Sequence, residues 1–137
     1  MDAAAPPKRI LLVGHCDADA NYLRMAVRAA LGQAEIISAD DNAAMDRAIQ
    51  QGVDLILFNR ELGYGFEPGT GVEMIRALKQ NHPDLRMMLV SNYADAQAAA
   101  ADAGALPGFG KREIGSPRVL QLLRDAMGLR TTPQERH

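Results

Sequence analysis

Short runs of consecutive apolar residues alternate along the chain with stretches whose apolar positions recur at helical spacing. Residues 9–13 (RILLV), 55–58 (LILF) and 87–90 (MMLV) have no polar interruption. Such runs suit strands buried on both faces, as in a parallel sheet. Residues 35–38 predict a second strand in chain order. Residues 106–110 predict a fifth, with Pro107, Gly108 and Gly110 opposing a regular central strand. Between these runs lie helical stripes: Leu23, Ala26, Val27, Ala30 and Leu31; Ala44, Met45, Ala48 and Ile49; Val72, Ile75 and Leu78; the alanine-rich stretch 92–103; and Val119, Leu122, Leu123, Ala126 and Met127. The punctuation agrees. Asp17 or Asp19, Asp40 or Asp41, and the Ser116-Pro117 pair are placed to start helices. Gly32, Gly52 and Gly104 are placed to end them, and Pro83 sits in a loop where a helix must stop. A strand–helix unit repeated five times predicts a doubly wound α/β domain with right-handed crossovers.

Composition narrows the class. The 137 residues suit one domain, read as 8–128 between a tail at 1–7 and a tail or linker at 129–137. A hydrophobic share of 47% argues against disorder. With 15 basic and 17 acidic residues the formal charge is −2, which gives no footprint for nucleic acid or an anionic membrane. No stretch approaches the ~20 apolar residues of a membrane span, and the start of the chain lacks the apolar core of a secretory signal. Cys16, the single cysteine, cannot form an internal disulfide or a cysteine-rich zinc site. A reducing cytoplasm is the expected setting.

In an open parallel sheet, sites form at the carboxyl ends of the strands. The residues there are Gly14, His15, Cys16 and Asp17 after the first strand; Asn59, Arg60 and Glu61 after the third; Ser91 and Asn92 after the fourth; and Lys111 after the fifth. Four segments, RILLVGHCDAD, VDLILFNREL, GVEMIRALKQNHPDLRMMLVSNY and AGALPGFGKRE, occur in an order that resembles the CheY-like receiver domain of two-component response regulators. The resemblance spans residues 8–128. It implies a three-layer flavodoxin-like fold with a five-stranded parallel sheet in the order 2-1-3-4-5.

The same resemblance implies a site with several parts replaced. The family's metal-holding acidic pair falls on Gly14 and His15, its phosphoacceptor aspartate on Asn59, its hydroxyl on Ser91 and its lysine on Lys111. The aromatic residue that changes rotamer falls on Gly108, or on Phe109 if counted one residue along. Arg112 stands where a proline usually follows the lysine, and the loop after Asn59 is longer by Tyr64–Pro68. An amide is a poor nucleophile and cannot become an acyl phosphate. Mg²⁺ wants hard oxygen ligands, which Gly14 lacks and His15 does not supply. The expectation is a non-enzymatic pseudo-receiver, with no metal and no cofactor. It acts in signalling by binding a protein partner or a second copy through the fourth helix, fifth strand and fifth helix, alone or as one domain of a larger regulator.

Other readings stay open at this point. Glu61 could pair with Lys111 and mimic phosphate charge, or lie in solvent while Lys111 bonds Asn59 or a carbonyl. A non-standard group such as His15 or Glu61 could accept a phosphoryl group. A flavodoxin-like protein could instead bind a small molecule. His15, Cys16, Asp17 and Asp19 could form a soft metal site, but capping by an aspartate and apolar packing of Cys16 explain them more simply. The glycines 63–71 lack the Lys-Ser or Lys-Thr of a phosphate loop.

Overall fold

The protein is described by a computed structural model over residues 6–129. The tails read at 1–7 and 129–137 therefore fall largely outside the described residues. Four parallel strands form the sheet: β1 (Lys8–Val13), β2 (Ala34–Ala39), β3 (Leu55–Asn59) and β4 (Met87–Val90), in the order β2-β1-β3-β4. Five α-helices cover it: α1 (Asp17–Leu31), α2 (Asn42–Gln51), α3 (Gly71–Asn81), α4 (Ala94–Ala103) and α5 (Pro117–Ala126). A single turn of 3₁₀ helix at Lys111–Glu113 precedes α5.

The unbroken apolar runs are explained by two cores. Strand side chains alternate between faces. Ile10, Leu12, Leu55, Leu57, Met88 and Val90 pack under α1 and α5, while Leu11, Val13, Ile56, Phe58, Met87 and Leu89 pack under α2, α3 and α4. Every residue of β4, and the first four of β3, is buried. Asp41, Thr70 and Ser116 cap α2, α3 and α5 by accepting from Ala44 N, Glu73 N and Val119 N. At α1 the expectation fails. Cys16 is the N-cap and makes no side-chain capping bond, and Asp17 and Asp19 lie in the first turn, where a carboxylate still complements the helix dipole. Cys16 is exposed rather than packed.

The expected fifth strand is also corrected. Residues 105–110 run beside β4 but pair with it through one parallel bridge, Val90 to Phe109. Leu106 N donates to Met87 O at 2.8 Å and Phe109 N to Leu89 O at 3.3 Å. Three residues of this segment therefore span what two residues of β4 span, which is a bulge. The slip falls at Pro107-Gly108: a regular ladder would put Gly108 N on Leu89 O and Phe109 N takes its place, while Pro107 faces the open edge, where no strand needs its N–H.

Candidate functional site

Three loop starts and the 105–110 segment converge at the carboxyl edge of the sheet. Gly14 and His15 follow β1, Asn59 ends β3, Ser91 and Asn92 follow β4, and Lys111 begins the 3₁₀ turn. Asn59, Arg60, Glu61, Val90, Ser91, Asn92, Tyr93 and Lys111 line one cavity of about 290 Å³. The sequence-level candidates Asn59, Ser91, Lys111 and Glu61 thus share one place in the fold.

Asn59 is bonded into the backbone around it. Its Nδ2 donates to Gly14 O at 3.0 Å and to Glu61 O at 2.8 Å. This arrangement fixes the side-chain orientation, because the flipped amide would set its oxygen against both carbonyls. Its Oδ1 is buried without a partner. His15 Nε2 lies 2.8 Å from Leu57 O. A carbonyl can only accept, so Nε2 carries the proton and Nδ1 is a bare acceptor, also buried and unpartnered. Burial pushes the His15 pKa down from 6.5; the Leu57 bond opposes the shift, Lys111 adds to it and Asp19 opposes it. Ser91, only 3% exposed, accepts from Tyr93 N at 3.1 Å.

Of the two readings of Glu61, the pairing with Lys111 is not formed. Lys111 Nζ meets Asp19 Oδ2 at 3.1 Å. Glu61 Oε2 takes Arg60 Nη1 at 3.0 Å, and the Arg60 guanidinium stands 4.6 Å above the Tyr93 ring. Each cation has a nearer carboxylate. Asp19 reaches Lys111 from the first turn of α1, whereas Glu61, bridged to Thr70 in the backbone, is largely exposed beside Arg60.

The long loop after Asn59 closes the other side of the site. Leu62 N donates to Gly69 O at 2.8 Å. Glu67 N donates to Asn42 Oδ1, and Asn42 Nδ2 donates to Glu67 O, both at 3.0 Å. This tether holds Leu62 and Phe66 in the core. Leu62 lies directly over Gly14. A Cβ built on Gly14 would sit 2.8 Å from Leu62 Cδ2 and 3.0 Å from Leu62 Cα, and the Gly14 φ of +80° disfavours any side chain. Where the resemblance implies an acidic ligand for Mg²⁺, there is room only for hydrogen. His15 and Asn59 offer only an imidazole nitrogen and an amide oxygen, and the nearby carboxylates of Asp19 and Glu61 are engaged by Lys111 and Arg60, so the oxygen set that a resident Mg²⁺ wants is not assembled here. Among the described residues no three of His, Cys, Asp and Glu gather where an ion could be held.

The rotamer-switch position also differs. Phe109 packs with the α1 and α5 side of the core, away from α4. Gly108 faces α4, and a Cβ there would lie 2.2 Å from Leu89 O and 2.6 Å from Gln97 Oε1. Gln97, which the sequence reading passed over, fills that space. Its Nε2 lies 3.0 Å from Leu89 O, 3.0 Å from Ser91 O and 3.2 Å from Phe109 O. The only signal for it in the sequence is a lone long polar residue in an alanine run.

No family model matches the chain, and no curated protein matches it. Solved structures do. A response regulator from Thermotoga maritima superposes with a TM-score of 0.72 at 16% identity, over 90% of this chain and 99% of that one. The non-phosphorylated receiver domain of the stress response regulator RcsB from Escherichia coli gives 0.72 at 13% identity, over 93% and 99%. The beryllofluoride-activated NtrC4 receiver domain dimer gives 0.72 at 18% identity, over 88% and 96%. The chain therefore has the α/β flavodoxin-like fold of CheY-like receiver domains, with four strands in its sheet. Among the described residues no helix is long and apolar enough to cross a membrane.

Proposed function

We propose that the chain is a receiver-type signalling module that works without aspartyl phosphorylation, by docking a protein partner or a second copy of itself. The observation that carries this reading is the position of Asn59. At the end of β3, where the resemblance implies a nucleophilic carboxylate, stands an amide whose nitrogen is committed to two backbone carbonyls. Leu62 over Gly14 supports it, since a metal ligand has no room there. The other candidate acceptors are poorly placed. His15 is held by Leu57 O and its free nitrogen is buried, and Glu61, though it lines the cavity, is engaged by Arg60.

The docking face in this reading comprises α4, the 105–110 segment and α5. Arg112 and Arg118 line a cleft of about 460 Å³ on it, together with Gln97, Leu106 and Gly108. That one structural neighbour is a receiver domain dimer is compatible with self-association as the mode. The reading is tested by incubating the protein with acetyl phosphate and Mg²⁺ and measuring intact mass. It expects no phosphoryl adduct; a stoichiometric adduct on His15, Glu61 or any other residue would end it.

A further inference from the structure

We propose that Gln97 is a fixed clasp that holds the docking face in one arrangement, whatever occupies the strand-end cavity. One side-chain nitrogen reaches three carbonyl oxygens on two pieces of backbone: Leu89 and Ser91 at the end of β4, and Phe109 in the neighbouring segment. Two hydrogens serve three acceptors, so at least one bond is shared. The side chain starts from α4, so a single residue ties the helix, the last strand and the bulged segment together.

Two features make the tie decisive. First, apart from its packing against α3, α4 is anchored by small side chains. Only Ala100 and Ala103 among its ten residues are buried, and an alanine methyl buries little apolar area. Second, the clasp depends on the bulge. The segment shifts by one residue at Pro107-Gly108, so Leu89 O takes Phe109 N at 3.3 Å and Phe109 O takes Ser91 N at 2.9 Å, and each carbonyl has its second lone pair for the Gln97 amide. Gly108 leaves the space the Gln97 amide occupies. An aromatic ring at position 108 could not coexist with it, and Phe109 lies on the opposite side of the sheet. Neither Gly108 nor Phe109 therefore places an aromatic ring between the cavity and α4.

That this face is the docking face rests on the function proposed above; the clasp itself does not. Native-state amide exchange on the full chain tests it, with α2 as the internal reference. Gln97→Met keeps the side-chain length and removes both donors. Gly108→Ala drives a methyl into Leu89 O from the other side, at a backbone angle alanine accepts. In both variants α4 amides are expected to exchange about tenfold faster relative to α2 amides of the same variant, the signature of local opening. Equal acceleration in α2 and α4, or no acceleration in α4, overturns the clasp. Should Gln97→Met fail to fold, Gln97→Asn, one methylene short of the carbonyls, takes its place with the same readout. The two proposals fail separately. A phosphoryl adduct with α4 protection unchanged removes the functional reading alone, and unaltered α4 exchange in the variants removes the clasp alone.

Discussion

At the scale of single residues, the site is defined by which atoms donate and which accept. Asn59 is a structural donor, whatever its place in the proposed function. A carboxylate in its place would set an oxygen against Gly14 O and Glu61 O, where the amide nitrogen now bonds both. Asn59→Asp is therefore expected to cost about 1–3 kcal/mol near neutral pH, measurable by urea unfolding with an unchanged slope. His15 supplies a pH dependence. Its folded pKa lies below 6.5, so below about that pH the unfolded chain binds a proton that the folded chain refuses. Stability attributable to His15 is unaffected above that range, falls as pH drops through it and levels off once the folded pKa is passed. His15→Gln is expected to flatten this limb of the stability profile; an unchanged acid slope would contradict the assignment. Positions were legible at this scale, and partners were not. The sequence placed Asn59, Ser91, Glu61 and Lys111 around one cavity. It could not rank Asp19 against Glu61 for Lys111, or foresee that Arg60 holds Glu61, because those outcomes turn on a helix's first turn and an ordered loop.

At the scale of elements, hydrophobic period and turn residues carried most of the information. Four strands and five helices lie within a few residues of where the pattern put them, since each buried run and each stripe has a core to enter. The two departures have local causes. Residues 106–110 have an apolar start and a buried Phe109, which suits a strand, but at Pro107-Gly108 the ladder slips by one residue into a bulge and Phe109 N takes the bond Gly108 N would make. The glycine-rich stretch after β3 reads as an open loop. Yet Leu62 and Phe66 are buried and a reciprocal bond to Asn42 tethers it. Period-based reading does not register two isolated apolar residues among glycines as core. The seal over Gly14 follows from this loop, and so does the loss of room for a metal ligand.

At the scale of the molecule, fold and chemistry separate. A receiver-like arrangement of layers survives at 13–18% identity to the structures compared, because it needs only buried strands and amphipathic helices. The catalytic parts do not follow from the layers. In the proposed reading the departure from receiver chemistry is distributed over three places: an amide ends β3, a glycine capped by Leu62 follows β1, and a glycine beside β4 leaves its space to Gln97. If that reading holds, no single substitution should confer phosphorylation. The most direct measurement is intact mass of Asn59→Asp, shown to be folded by circular dichroism, after incubation with acetyl phosphate and Mg²⁺. The account predicts no phosphoryl adduct, since the restored carboxylate has no metal site beside it. Efficient labelling of Asp at that position would contradict it.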